Sequence, residues 1–223
     1  SNADQDSAKQ QSQVEAAITE GADVIVLDPV DSESAAAMVN RAKQSDIPVI
    51  SYDRLILDAP VDFYVSFDNT KVGELQGTKM SENLKKEGSP TGPIVKINGS
   101  PTDNNATLFA NGYNSVITPK FDSGEWNLVD DQSVPDWDNQ QALVIFEQIL
   151  TAANGKVDAA IAANDGLANS VISALKGQGL KPIPLTGQDA TAEGIQNILA
   201  GNQSMTVYKA VKSEAEAAAA LAI

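Results

Sequence analysis

The chain has neither cysteine nor histidine among its 223 residues. The first absence removes disulfides and thiolate nucleophiles, the second removes imidazole bases, and together they remove the usual zinc ligands. A protein without disulfides fits an extracytoplasmic setting as well as a cytosolic one, so cysteine usage leaves the compartment open. Positive charge is scarce. Lys and Arg number 15 against 30 Asp and Glu, for a formal net charge of -15 and a pI of about 4.2. Such a surface repels phosphate backbones, and no block of basic residues concentrates the remaining cations, which argues against nucleic acid as a partner. No apolar run approaches the ~20 residues that a membrane-spanning helix needs. A GxSxG elbow, a P-loop and a GxGxxG after the first strand are all missing, so the familiar hydrolase, nucleotide and dinucleotide signatures are excluded.

What is present is an ordinary folded composition, 42% hydrophobic and 20% charged, in a length sufficient for two small units or one medium domain. Two periodicities alternate along it. SAKQQSQVEAAITEG (7–21) carries Val14, Ala17 and Ile18 on one helical stripe and stops at Gly21. ADVIVLDP (22–29) reads as a strand, 32–46 as a helix with Ser32 at its N-cap, 47–53 as a strand and FYVSF (63–67) as another. A helix over 70–87 and a loop at SPTGP (89–93) follow. Strands are then expected at 93–98, 125–130, 157–162, 182–186 and 204–208, alternating with helices at 103–116, 138–152, 166–176, 190–200 and 211–221. The near-continuous apolar strands predict parallel sheets covered on both faces. Irregular spacing, and the helix-free segments near 54–62 and 131–137, favour two doubly wound α/β lobes over a closed barrel.

Short polar side chains gather where these strands end. Asp53 and Arg54, Asp103 and Asn105, Asn164 and Asp165, and Gln188 and Asp189 all take that position, the edge at which open α/β sheets bind ligands. Asp and Asn have short reach and offer acceptors, or acceptors with donors, suited to a small ligand rich in hydroxyls. An adjacent Arg keeps a carboxylate charged and adds a rigid donor fork. Trp137, in VPDWDN, offers a broad apolar face that suits the C–H face of a sugar ring, and Lys209 follows MTVY at a further strand end. Helix capping is the competing account of Asp103, Asp165 and Thr191, but it explains neither Trp137 nor Lys209. Carboxylate pairs also serve glycoside hydrolysis, yet a crevice free of His and Cys suits binding better than turnover, and no cofactor or metal is expected.

Taken together, SYDRLI, DFYVSFDNTKVGELQG, GSPTDNNA, AANDG, TGQDA and MTVYK resemble the periplasmic sugar-binding proteins of ABC importers, over nearly everything from Asp4 to Lys212. The resemblance implies a type I solute-binding fold, two lobes closing over one monosaccharide, with D-xylose first and glucose, galactose or arabinose as alternatives. It implies a membrane permease as partner, an extracytoplasmic location and no catalysis. It also implies Asp53, Arg54, Asp103, Asn105, Trp137, Asn164, Asp189 and Lys209 as the sugar site. Ser133 stands where the xylose-binding pattern has a second aromatic. Ser1–Ala3 reads as a tag remnant, residues 4–70 and 207–223 as a partial N-terminal lobe, and 71–206 as the C-terminal lobe. The first lobe is expected to lack family segments at both ends, leaving an edge that a second copy would cover, with impaired sugar binding as the alternative outcome. A repressor core is disfavoured by the acidic charge and the lack of a basic DNA-binding segment.

Overall fold

Asp6 opens the first helix, its carboxylate accepting from the amide of Lys9, and Gly21 closes it at φ +80°. The amides of Gly21 and Ala22 return to the carbonyls of Ile18 and Ala17, the paired bonds of a glycine C-terminal cap. The computed structural model that contains this helix, α1 (Ser7–Thr19), describes residues 1–86 and 92–223. The expected loop at 89–93 and the end of the helix expected to 87 fall largely on 87–91, outside the described residues.

Two units divide the chain. Unit 1 holds Ser1–Phe67, Thr102–Asn105 and Ala210–Ile223; unit 2 holds Asp68–Pro101 and Ala106–Lys209.

In unit 1, β1 (Ile25–Leu27), β2 (Val49–Tyr52) and β3 (Phe63–Val65) form a parallel sheet in that order. α1 and α2 (Ala36–Lys43) bury Val14, Met38 and Val39 against Ile25, Leu27 and Val49. Ser32 does not cap α2. The hydroxyl of Ser32 accepts from the amide of Asn104, and Asp31 takes the amides of Glu33 and Ser34, because the chain first makes a turn over 31–35 before the helix forms. β2 and β3 are parallel with no helix between them. Instead Ile56 inserts into the core, which stabilises by about 1.5–3 kcal/mol for a full side chain. Asp62 holds the far end of the connection, its Oδ2 accepting from Val49 N at 2.8 Å and its Oδ1 pairing with Lys43 at 2.6 Å. The C-terminal helix, Val211–Leu221, packs on β2 and β3 and buries Glu214 and Ala218. The expectation of strands covered on both faces fails here: Val26 and Phe63, in one register row with buried Ile50, are 46% and 48% exposed.

Unit 2 is wound on both faces. β5 (Asn127–Ser133), β4 (Pro93–Asn98) and β6 (Ala159–Ala162) lie parallel in that order. Strand period sorts the core: Ile94, Ala159 and Ile161 face α3 (Asn69–Lys86) and α4 (Asn104–Asp122), while Val95, Ile97, Ala160 and Ala162 face α5 (Asn139–Ala152) and α6 (Asp165–Gly177). α3 and α4 approach so closely that a Cβ on Gly112 would overlap the Thr70 carbonyl, and one on Gly73 the Phe109 carbonyl. α4 continues past the expected end at 116, with Pro119 in its exposed final turns.

The segments 182–186 and 204–208 are not strands. Each makes one isolated bridge, Ala160 with Leu185 and Gln188 with Val207. Pro182 and Pro184 supply no amide donors at alternate positions, so the ladder to β6 cannot extend. The second segment slips against the first: Ser204 N reaches Leu185 O and Val207 N reaches Gly187 O, three residues against two. α7 (Ala192–Leu199) separates the two segments. Among the described residues the sheets are thus two of three strands, not a barrel.

Candidate functional site

The predicted residues form two groups, one in each unit. In unit 1, β2 ends at Tyr52 and Asp53 turns to φ +55°, a left-handed conformation that Asp tolerates better than most residues. Ser51 closes the turn: its hydroxyl donates to Arg54 O at 2.6 Å and accepts from Ile56 N at 2.9 Å. Arg54 is thereby aimed at Asp103, with Nε 2.9 Å from Oδ2, while Nη1 donates to Pro29 O at 3.2 Å. Asp103 sits just ahead of α4 and its other oxygen accepts from the amide of Asn105 at 2.8 Å, so the capping account holds for it as well. The Asn105 side-chain amide donates to the carbonyl and the carboxylate of Asp53, at 3.2 and 3.3 Å. Asp53, Arg54, Asp103 and Asn105 are therefore one connected network, with Asp103 and Asn105 each 2% exposed.

Two phenols border it. Tyr64 donates to Asp53 O at 3.3 Å. Burial pushes the Tyr64 hydroxyl up, a hydrogen bond with Ser66 opposes this, and the charges of Asp53 and Asp103 add to the rise. Tyr52 is raised by burial first, then by the charges of Glu214, Asp53 and Asp28. Both remain hydrogen-bond donors at neutral pH. The sequence reading missed them, although Tyr52 adjoins Asp53 and Tyr64 lies in the next strand.

In unit 2, Asn164 is the N-cap of α6, its Oδ1 accepting from Leu167 N at 2.9 Å. Trp137 ends a 3-10 turn, Pro135–Trp137, in which Asp136 and Trp137 both have φ +55°. Ser100 holds the turn by accepting from Asp136 N at 3.2 Å, and the indole lies over Gly99, where any side chain would collide with it. Phe109 meets Trp137 edge-on at 6.4 Å between ring centroids and 69° between planes. The ammonium of Lys209 stands 5.8 Å from the same Phe109 ring and 3.1 Å from Asp189 Oδ1. Trp137, Asp189 and Lys209 are thus joined through Phe109, a residue the sequence reading left out. No local signal marks it, since a lone aromatic on a helix reads as core, and Phe109 is packed there.

Also in unit 2, Gln76 is wholly buried on α3 and donates to the carbonyls of Ala162, Ala163 and Gly187 at 3.1–3.2 Å. It ties the end of β6 to the neighbouring segment where the ladder stops. Among the described residues no group of three or more Asp and Glu is placed to hold a metal ion, and no helix is long and apolar enough to cross a membrane. The unit 1 group sets carboxylates, an amide and a guanidinium beside phenolic rings; the unit 2 group sets one carboxylate and one ammonium beside aromatic rings, while Asn164 is engaged in capping α6. That chemistry holds hydroxyls and presents a flat apolar face to carbon-bound hydrogens.

Residues 1–223 match the periplasmic binding protein domain. The chain is 45% identical over 215 residues to the D-xylose-binding periplasmic protein of Escherichia coli K12, covering 96% of this chain and 64% of that protein. It is 43% identical over 223 residues to the protein of the same name from Haemophilus influenzae, covering 100% of this chain and 66% of the relative. The chain thus spans a little under two thirds of these relatives' length. Among solved structures, a carbohydrate-transporter solute-binding protein from Chloroflexus aurantiacus in complex with D-glucose superposes with a TM-score of 0.89 at 31% identity, over 98% of this chain and 71% of that one. An ABC-transporter solute-binding protein from Clostridium phytofermentans with bound β-D-glucose gives 0.86 at 31% identity, over 95% and 69%. Fold, sequence and the match across its whole length agree, and the chain belongs to the periplasmic binding protein domain family.

Proposed function

We propose that this chain is the monosaccharide-binding part of an ABC sugar importer's solute-binding component, acting outside the cytoplasm and passing its sugar to a membrane permease. D-xylose is the proposed ligand, with glucose, galactose and arabinose as its competitors. The observation that carries the reading is the Lys209–Asp189 pair set beside Phe109 and Trp137, a charged hydroxyl-binding group against aromatic rings. The Asp53–Arg54–Asp103–Asn105 network of unit 1, taken by itself, is a further set of side chains suited to sugar hydroxyls. Identity of 43–45% to two D-xylose-binding proteins supports the choice of sugar. The sugar is bound and released chemically unchanged. Binding shifts the protein toward whichever conformation holds the sugar better, and the permease reads that conformation.

Isothermal titration with D-xylose, D-glucose, D-galactose, L-arabinose and D-ribose tests this. Saturable heat with D-xylose is expected, and no saturable heat with any sugar overturns the reading. Trp137→Ala and Asp189→Asn should each weaken binding about 10- to 100-fold, the equivalent of one charge-assisted bond or stacking face. Unchanged affinity in both rejects the site. The open edge of β1, with exposed Val26 and Phe63 on its sheet, supports a further proposal, that two copies associate through unit 1. Light scattering that returns only the 23.4 kDa of one chain excludes it.

A further inference from the structure

Asp165 carries a carboxylate with 0% exposure at the start of α6, and among the described residues no Lys or Arg pairs with it. Its side-chain partners are neutral donors. Oδ2 accepts from the amide of Thr191 at 2.9 Å and its hydroxyl at 3.1 Å, and Oδ1 accepts from the side-chain amide of Gln203 at 2.8 Å. Gly187 and Gly194 line the cradle, and a Cβ on either would overlap the carboxylate. A carboxylate buried without a cation is a poor means of stabilising a fold. Its partners show another use.

The segment it grips is the one that carries Asp189. That residue and Ala190 are consecutive and non-glycine, yet have φ +94° and +47°. Such a turn persists only where the surroundings over-determine it, and here no continuous ladder does so. Asp165 brackets it instead: the Asp165 amide donates to Gln188 O at 3.0 Å, one residue before, and the carboxylate takes the Thr191 amide, one residue after. Gln203 extends the grip by donating also to Met205 O at 2.9 Å. Within the bracket, Asp189 N donates to Val207 O at 2.9 Å and Ala190 N to Thr206 Oγ1 at 3.1 Å.

We propose that Asp165 is a positioning residue that holds the 188–191 turn in its left-handed form, so that the Asp189 carboxylate is presented beside Lys209 for the ligand. The capping of α6 itself is done by Asn164, so Asp165 is not required for that task. The proposal rests on the sugar-binding reading for Asp189, and its test has one arm that needs no sugar.

In that arm, amide hydrogen exchange is followed in the intact chain and in Asp165→Asn, a nearly isosteric change. Exchange at 189–194 should rise about tenfold or more, with β4 and β6 amides unchanged. No rise at 189–194, or an equal rise throughout unit 2, overturns the proposal. In the second arm D-xylose is titrated into the parent, Asp165→Asn, Asp189→Ala and the double variant. Asp165→Asn should cost about tenfold in affinity in the parent and less than about twofold once Asp189 is gone. The same loss in both backgrounds shows that Asp165 does not act through Asp189. If the parent binds no sugar, the functional reading fails while the exchange arm still decides the positioning role.

Discussion

Replacing Arg54 by methionine removes a guanidinium and keeps most of its stem. The Asp103 side chain, 3% exposed, then keeps the amide of Asn105 but loses the cation 2.9 Å away. Breaking a buried pair from one side costs roughly 3–5 kcal/mol, because an uncompensated charge stays behind. Arg54 retains 15% exposure and Asp28, 3.8 Å from it, is half exposed, so the lower end applies, about 3 kcal/mol. The double variant Arg54→Met/Asp103→Asn removes both charges, while the asparagine introduced at 103 still accepts from the Asn105 amide. It should cost no more than about 1 kcal/mol in stability. Sugar affinity should fall in the double variant by roughly a hundred- to ten-thousandfold, two charge-assisted bonds at about 1.5–3 kcal/mol each. Tryptophan fluorescence is the wrong probe of stability here, since Trp126 and Trp137 both belong to unit 2. Opening free energies from hydrogen exchange at β2 amides report unit 1 directly, and titration with D-xylose reports binding. A double variant as unstable as Arg54→Met would refute the reasoning, because the pair would then hold the fold. Full stability together with full affinity would sever the pair from the ligand.

Two further perturbations probe the scaffold. Gly112→Ala places a methyl against the Thr70 backbone carbonyl, which cannot rotate aside; the expected cost is about 1–3 kcal/mol, a fall of roughly 2–10 °C in calorimetry, and an unchanged Tm contradicts the close approach of α3 and α4. The hydrogen bond from Lys43, then that from the Val49 amide, holds the Asp62 carboxyl below its ordinary 3.8. A carboxyl lowered in the folded state contributes stability above its unfolded value, and that contribution is lost as pH falls through the lower folded value. With Lys43 and Asp62 side chains 35% and 30% exposed, the amount is about 0.5–1 kcal/mol after screening. Asp62→Asn should flatten the acid limb of unit 1's stability below about pH 4; identical limbs in parent and variant exclude the linkage.

The elements that could be read from sequence are those settled within a few residues. The parallel α/β class followed from runs such as IVKI, whose period-2 sorting onto two faces appears in β4, and Gly21 ended α1 through bonds spanning a single turn. Of the misreadings, one has a local cause and the other a distant one. PIPLT has the composition of a strand, but its two prolines withhold the donors a ladder needs. Ser32 has the chemistry of a cap and uses it, on an amide 72 residues away.

The candidate site divides along the same line. Asp, Asn, Arg, Trp and Lys at strand ends could be named because residue type and position both lie in the local sequence. Their linkages could not, because the Asn105–Asp53 bond closes a separation of 52 residues and the Gln76 bonds reach across 86 to 111. Loop closure on that scale is driven by the apolar core, and a polar side chain meets its partner only where the core has already brought the segments together. Phe109 illustrates the consequence. As a lone aromatic on a helix it reads as core, and it is core, packed with Ile94 and Tyr113. It acquires a second part to play only because the fold sets Trp137 at its edge and Lys209 over its face. A buried aromatic of this kind cannot be assigned to a ligand site from its own neighbours in sequence, since the property that matters belongs to the contact and not to the residue.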